Sequence, residues 1–252
     1  MTERLEPALY LVPVPIGNRD DITLRSLKTL QRADVIASED TRTTGQLLAL
    51  YGITPPRLIA YHDHNEEAQA MMLVREVQAG KAVALVSEAG SPCISDPGYR
   101  CVHAAIEANI KIVPLPGATA FVPALSASGL AVDAFTFVGF PPHKKGRETF
   151  LKNVAGMPET VVLYESSHRI VKLLEELIDL DSESGLEARQ CCIARELTKM
   201  YEEFLRGTVR QCLQRLVARP QQKGEFVFVL EGKGKFDQRM SDGRVSAVHG
   251  GV

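Results

Sequence analysis

Short apolar runs rich in β-branched residues alternate with helical patterns through the first half of the 252-residue chain. The strand-like runs occupy residues 9–14, 34–38, 81–87 and 111–115. The segments between them, residues 22–32, 43–50, 65–79 and 98–108, carry apolar residues near helical spacing. Strands that alternate with helices favour βα units, so the sequence predicts an α/β domain with a parallel sheet over residues 1–130.

The second half has fewer helices per strand. Strand-like runs occupy residues 135–140, 160–164, 191–194 and 225–230, and helical patterns cover 167–178 and 209–217. This predicts a second α/β domain with a mixed sheet over residues 131–232. The basic, Pro/Gly-rich segment "GFPPHKKGRE" (139–148) is typical of a linker or surface loop. Residues 233–252 are rich in Gly, Ser and charge without periodicity, which predicts a flexible tail.

Composition excludes several classes of protein. Charged residues make up 24% and hydrophobic residues 45% of the chain, as in ordinary globular proteins. The net charge of −2 gives no overall attraction to nucleic acid, so an RNA partner would need a local basic patch. No apolar run approaches the roughly 18 residues of a membrane span, and the N-terminus lacks signal-peptide features. We therefore expect a cytoplasmic protein without membrane association.

The five cysteines do not indicate a metal site or a disulfide framework. Their number is odd, Cys191 and Cys192 are adjacent, and the spacing fits neither pattern. We expect reduced, mostly structural cysteines, and we predict no metal site.

Three Gly/Pro-rich loops follow predicted strands, at residues 12–23, 85–98 and 114–130. Ligands of open α/β sheets bind beyond the carboxyl ends of the strands, where these loops should meet. Neither a dinucleotide fingerprint nor a P-loop is present. Singly, each loop is also explained as a helix entry, capped for example by Asp20, Asp21 or Asp96, or as close packing. Together they predict a crevice for a small ligand with polar ends.

Several polar side chains near these loops have two interpretations. Glu88 is the first charge after a predicted buried strand, and it would either bind a cation or ribose hydroxyls or remain solvated. "ASEDTRTT" (37–44) and "YHDHNEE" (61–67) would either contact substrate or cap helices. In the second half, His168, Arg169, Arg195 and Lys199 would either contact phosphates or form a solvated charged face.

Eight motifs together resemble the tetrapyrrole-methylase superfamily in order and spacing, over about residues 8 to 232. They are "PIGN", "SEDTR", "YHDHNE", "LVSEAGSPCISDPG", "PLPGATAFVPALSASGL", "GFPP", "LYESSHRI" and "ARELTK". Within it, they look like the branch that methylates the 2′-hydroxyl of a cytidine in 16S ribosomal RNA. The chain departs mildly from the family pattern, for instance by Glu88 where relatives usually have Asp.

The resemblance implies two α/β domains with S-adenosylmethionine in the cleft between them, and a homodimer that acts on 16S rRNA of the small ribosomal subunit. Carried over by position, the cofactor-binding residues are Pro15, Gly17, Glu88, Ala89, Gly90, Ser91, Pro92, Pro116, Gly117, Ala118, Thr119, Tyr164 and Glu165. The Glu39–Arg42 and His62–Glu66 clusters would face the RNA. Lys144, Lys145 and Arg147 would add to the grip on it.

For the chemistry, a base must remove the hydroxyl proton while the protein aligns the reacting atoms. We expect Glu39 or His64 to be that base, with Arg42 holding a neighbouring phosphate. Two other functions remain open. One is methylation of a tetrapyrrole or another small acceptor within the same superfamily. The other is nucleotide or RNA binding without turnover.

Overall fold

The computed structural model describes residues 4–55, 57–62, 65–180 and 185–242. It divides the chain into two compact units, Met1–Thr119 (unit 1) and Ala120–Val252 (unit 2). Each unit contains one five-stranded sheet with helices, which confirms the predicted fold class of two α/β domains. The boundary falls at residue 119, earlier than the predicted residue 130.

Unit 1 is built on a parallel sheet in the order β3-β2-β4-β1-β5. Its strands are β1 (Ala8–Leu11), β2 (Val35–Ser38), β3 (Leu58–Ala60), β4 (Ala82–Val86) and β5 (Ile112–Pro114). Its helices are α1 (Leu24–Arg32), α2 (Thr41–Leu50), α3 (Glu66–Gln78) and α4 (Tyr99–Glu107). The parallel sheet predicted for this half is therefore observed. Strand β3 was not predicted from the sequence.

The helices of unit 1 cover both faces of its sheet. Leu30 of α1 and Leu48 of α2 lie in one buried apolar cluster, and Leu73 of α3 and Cys101 of α4 lie in another. Strands β1 and β2 therefore lead to helices on one face, whereas β4, which lies between them, leads to α4 on the other. Chains that diverge in this way from adjacent parallel strands leave room for ligands at the carboxyl edge of the sheet.

Unit 2 has a mixed sheet in the order β6-β7-β10-β8-β9, in which only β6 and β7 pair in parallel. Its strands are β6 (Phe135–Phe137), β7 (Thr160–Ser166), β8 (Gln190–Arg195), β9 (Glu203–Thr208) and β10 (Glu225–Leu230). Its helices are α5 (Phe121–Ser126), α6 (Arg147–Gly156), α7 (Ile170–Leu180), α8 (Val209–Val217) and α9 (Lys233–Ser241). Leu173, Leu216 and Phe228 lie in its buried apolar core.

The structure differs from the prediction at the end of unit 2. Residues 233–252 were expected to form a flexible tail, but Lys233–Ser241 is the helix α9. Phe236 anchors this helix with only 4% of its surface exposed. One buried aromatic among Gly, Lys and Asp gives no helical period, so the sequence pattern could not reveal it. Residues 243–252 lie outside the described part of the chain.

Glu66 of α3 caps the start of α4. Its Oε1 accepts hydrogen bonds from the backbone N–H groups of Gly98 (3.0 Å) and Arg100 (3.3 Å) and from the hydroxyl of Tyr61 (2.9 Å). The Tyr61 oxygen accepts in turn from the N–H of Cys101, and burial together with Glu66 raises the pKa of Tyr61. The side chain that caps α4 is therefore Glu66 of α3, and not Asp96, for which the sequence suggests a capping role.

No helix in the described ranges combines the length and the apolar character that a membrane crossing requires. All five cysteines are free thiols, and all except Cys93 are buried.

Glu66→Ala should lower the free energy of unfolding by about 2 kcal/mol, because two helix N–H groups and a buried phenol lose their acceptor. Chemical denaturation followed by circular dichroism measures the change. Glu67→Ala is the matched control, since the Glu67 side chain is 86% exposed and makes only a surface contact with Arg100. Equal destabilisation by both substitutions would contradict the capping role.

Candidate functional site

The loops that follow β1 and β4 are joined by a backbone bridge. The N–H of Val14 donates to the carbonyl of Gly90 (2.9 Å), and the N–H of Gly90 donates back to Val14 (3.0 Å). Gly90 has a φ of +82°, and a Cβ there would lie 3.4 Å from Ile16 and 3.5 Å from the carbonyl oxygen of Ala118. Glycine is therefore favoured by the backbone conformation, while the two distances show that the neighbouring loops lie in van der Waals contact.

The loop after β5 is locked to both of the others. Ser91 Oγ donates to the carbonyl of Ala118 (2.9 Å). A Cβ on Gly117 would lie 2.4 Å from Cβ and 2.7 Å from Cγ of Pro13, so the backbone at Gly117 packs directly on the proline ring. The loops at residues 12–23, 85–98 and 115–120 thus form one interlocked structure, which we call the loop platform.

The loop platform brings together most of the predicted cofactor-binding residues. Three of them are buried within it, namely Pro15, Gly90 and Pro92. Three more are half-buried, namely Ser91, Ala118 and Thr119. Five are exposed, namely Gly17, Glu88, Ala89, Pro116 and Gly117. The exposed members present mainly backbone and small side chains, so a ligand can approach closely.

Three carboxylates lie near one another at the carboxyl edge of the sheet. Glu39 follows β2, and Glu88 and Asp96 follow β4, its neighbour. Burial, together with the charges of Glu39 and Glu88, raises the pKa of Asp96 to about 7. Asp96 therefore changes its protonation state near neutral pH, and a nearby cation would favour its charged form. The sequence did not single out Asp96 for this role, because the pairing of β2 with β4 cannot be read from the order of strands.

Arg42, which the sequence predicts to hold a phosphate, forms an ion pair with Asp40. Asp40 accepts from the backbone N–H of Arg42 (2.8 Å) and from its guanidinium Nη2 (3.0 Å), and these bonds lower the pKa of Asp40 to about 2. The Arg42 side chain is nevertheless 87% exposed at the start of α2. It remains accessible to an anion.

The structure describes only part of the "YHDHNE" segment (61–66). His64 and Asp63 lie outside the described residues. The amide of Asn65 accepts from the N–H of His62 (2.9 Å) and donates to the carbonyl of Ala60 (3.1 Å), which fixes the turn before α3. Asn65 occupies the N-cap position as expected, but its side chain makes no capping bond to the helix. Glu66, expected to face RNA, is engaged in capping α4.

Tyr164 and Glu165 lie on β7 in unit 2. The Tyr164 hydroxyl accepts from the N–H of Phe121 (3.3 Å). Glu165 is fully buried, where its Oε1 accepts from Arg169 Nε (2.8 Å) and its Oε2 lies 3.6 Å from Arg147 Nη1. Two arginines thus neutralise this carboxylate within unit 2, and its role toward a cofactor stays a prediction.

The described residues contain no group of three or more His, Cys, Asp or Glu side chains arranged to hold a metal ion. The loop platform offers exposed backbone at Gly17, Ala89 and Gly117 and the exposed carboxylate of Glu88.

Residues 8–213 match the family model of the tetrapyrrole (corrin/porphyrin) methylases. The chain is 47% identical to ribosomal RNA small subunit methyltransferase I of Haemophilus influenzae, over 91% of this chain and 80% of that protein. It is 48% identical to the protein of the same name from Synechocystis sp., over 89% and 78%.

Among solved structures, uroporphyrin-III C-methyltransferase from Thermus thermophilus, complexed with S-adenyl homocysteine, matches with a TM-score of 0.58. It is 20% identical, and the match covers 91% of this chain and 99% of that one, which establishes a shared fold. As its motifs predict, the chain belongs to the tetrapyrrole methylase family and, within it, to the group of proteins named ribosomal RNA small subunit methyltransferase I.

Proposed function

We propose that this protein is an S-adenosylmethionine-dependent methyltransferase that methylates the 2′-hydroxyl of a cytidine ribose in 16S rRNA of the small ribosomal subunit. The observation that carries the proposal is the identity of 47–48% to proteins named as small-subunit rRNA methyltransferases, over about nine-tenths of the chain. Tetrapyrrole methylation has weaker support, since the uroporphyrin methyltransferase is only 20% identical.

The loop platform fits S-adenosylmethionine chemically. The cofactor presents a sulfonium, an ammonium and a ribose diol, which match carboxylates and exposed backbone groups. Glu88 and the exposed backbone at Gly17, Ala89 and Gly117 are the groups that would hold it. A Cβ at Gly117 would collide with Pro13, so the loop holds its position against the proline ring only because the residue is glycine. When bound, the cofactor supplies an electrophilic methyl group.

The chain must then position the ribose hydroxyl, exclude water and accept a proton. Glu39 is the proposed proton acceptor, and Arg42, exposed beside it in the sequence, would hold the phosphate next to the target ribose. His64 remains the alternative base. The pKa of Asp96, in the same carboxylate cluster, is about 7, so the protonation state of the cluster changes between pH 6 and 8.

Incubation with radiolabelled S-adenosylmethionine tests the acceptor directly. Unmethylated small ribosomal subunits, protein-free 16S rRNA and uroporphyrinogen III are supplied in parallel. We expect label in the subunits or the rRNA, at the 2′-oxygen of a cytidine. Label in the tetrapyrrole alone would favour the alternative, and label in none of them would favour a binding protein without turnover.

The proposal includes a homodimer, which the family resemblance implies, and a cytoplasmic location, which the sequence features predict. Light scattering on the purified protein measures the first, and cell fractionation measures the second.

Gly117→Ala should weaken binding of S-adenosylmethionine by about tenfold or more, because the new methyl forces the loop away from Pro13 and displaces the backbone. Isothermal titration calorimetry measures the affinity. Gly156→Ala is the control, since a Cβ at Gly156 meets nothing within 4 Å. Unchanged affinity in Gly117→Ala would remove this loop from the cofactor site.

Affinity for S-adenosylmethionine should depend on the ionisation of Asp96. Its pKa of about 7 means that it is mostly neutral at pH 6 and mostly charged at pH 8. Charged Asp96 attracts the cationic cofactor, so the wild-type affinity relative to Asp96→Asn should rise by about threefold or more between pH 6 and 8. The ratio cancels titration of the ligand itself. A ratio that is constant with pH would separate Asp96 from the cofactor site.

Glu39→Gln should lower kcat by about 100-fold while the affinity for the cofactor changes little, as expected for loss of a general base. Glu67→Gln is the control in the same unit. His64→Ala tests the alternative base in the same assay, and Arg42→Ala should raise KM for RNA more than it lowers kcat. Unchanged rates in both Glu39→Gln and His64→Ala would mean that another group accepts the proton.

A further inference from the structure

Residues 139–146 of unit 2, which we call the basic loop, have a fixed backbone. The carbonyl of Gly139 accepts from the N–H of Tyr164 (3.0 Å), and the carbonyl of Pro142 accepts from Arg147 Nη1 (3.1 Å). Arg147 itself is buried and also donates to Glu176 (2.7 Å). These bonds anchor the backbone of the loop at Gly139 and at Pro142.

The exposed part of the basic loop is positively charged. Lys144 and Lys145 are exposed, and no carboxylate in the described ranges lies within ion-pair distance of either one. Nη1 of Arg169 lies 2.5 Å from Nδ1 and 2.8 Å from Nε2 of His143, which fastens the loop to the start of α7. The buried carboxylate of Glu165 is already shared by Arg147 and Arg169. The cations of the loop are therefore not neutralised locally.

An exposed aromatic ring adjoins these cations. Phe140 is 52% exposed, and its ring meets Tyr164 edge-on with the centroids 5.3 Å apart. Tyr164 contacts Phe137 in turn (4.9 Å between ring centroids), so the exposed ring rests on two half-buried aromatic rings. A ring held in this manner offers a flat apolar surface three residues before a histidine and two lysines.

We propose that the basic loop docks single-stranded RNA, with Phe140 stacked on an unpaired base and Lys144 and Lys145 on the neighbouring phosphates. Aromatic platforms beside cations are the combination that binds single strands, because every base has a stacking face and every nucleotide a phosphate. A protein partner fits less well, since lysine is depleted at the centres of protein interfaces. This inference rests on the proposed function and assigns its RNA a surface on unit 2.

The test measures binding of a fluorescein-labelled 12-nucleotide single-stranded RNA, by anisotropy, over a series of KCl concentrations. Lys144→Ala/Lys145→Ala should reduce the slope of log K against log [KCl] by about 1.4, the value for two lost phosphate contacts on a single strand. Lys233→Ala/Lys235→Ala removes the same charge from exposed positions of α9 and should leave the slope unchanged. An equal reduction in both variants would overturn the proposal, because it would reflect net charge alone.

Phe140→Ala should weaken single-strand binding by about 5- to 100-fold without changing the salt slope, whereas Phe140→Tyr should retain affinity. Binding of the same sequence as a duplex should be insensitive to both substitutions, because its bases are paired. If Phe140→Ala leaves single-strand affinity intact but dissociates an oligomer in light scattering, the ring contacts a second copy and the proposal is wrong.

Methylation kinetics separate this inference from the function on which it rests. In the docking variants, KM for 16S rRNA should rise while the affinity for S-adenosylmethionine and the circular dichroism melting curve stay unchanged. If the wild-type protein labels rRNA and the variants have the same KM, the docking surface is wrong and the function stands. If the wild-type protein labels no RNA, the proposed function fails.

Discussion

The close approach of three loops at one edge of the parallel sheet is the constraint on which the rest of unit 1 depends. Val14 and Gly90 exchange two backbone hydrogen bonds, Ser91 reaches Ala118, and Gly117 packs on Pro13. Strands β1 and β4 send their helices to opposite faces of the sheet, and these contacts join the chain where it diverges. These contacts hold the three loops together, and the exposed residues of the platform present mainly backbone and small side chains.

A cluster of three carboxylates adds negative charge near the backbone groups of the loop platform. Glu39, Glu88 and Asp96 follow two neighbouring strands, and burial of Asp96, together with the charges of the other two, raises the pKa of Asp96. A cluster of this kind stores a proton in the free protein and becomes more favourable when a cation arrives. Unit 2 shows the opposite arrangement, with a buried carboxylate bound by arginines and exposed lysines left over. The carboxylate cluster of unit 1 and the exposed lysines of unit 2 are therefore local features of opposite charge.

Much of this could be predicted from the sequence, for identifiable reasons. Alternating apolar periods gave the parallel sheet, and Gly/Pro-rich loops after three strands located the platform, because both signals are local. The order of strands in a sheet is not encoded in a short stretch of sequence, so the closeness of Glu39 and Asp96 could not be predicted. Helix α9 was missed because a single aromatic, Phe236, buries it. Glu66 was read as a substrate-facing charge, since a sequence does not show that a side chain caps a helix thirty residues away.

The Glu66 cap links two sequence motifs that are far apart along the chain. Tyr61, Glu66 and the start of α4 at Gly98 form one hydrogen-bonded unit, although they belong to two motifs that look separate in the sequence. A carboxylate that moves or shortens at position 66 leaves the phenol and the helix end without an acceptor at the same time. A substitution at Glu66 therefore perturbs both motifs at once, although they lie about thirty residues apart in the sequence.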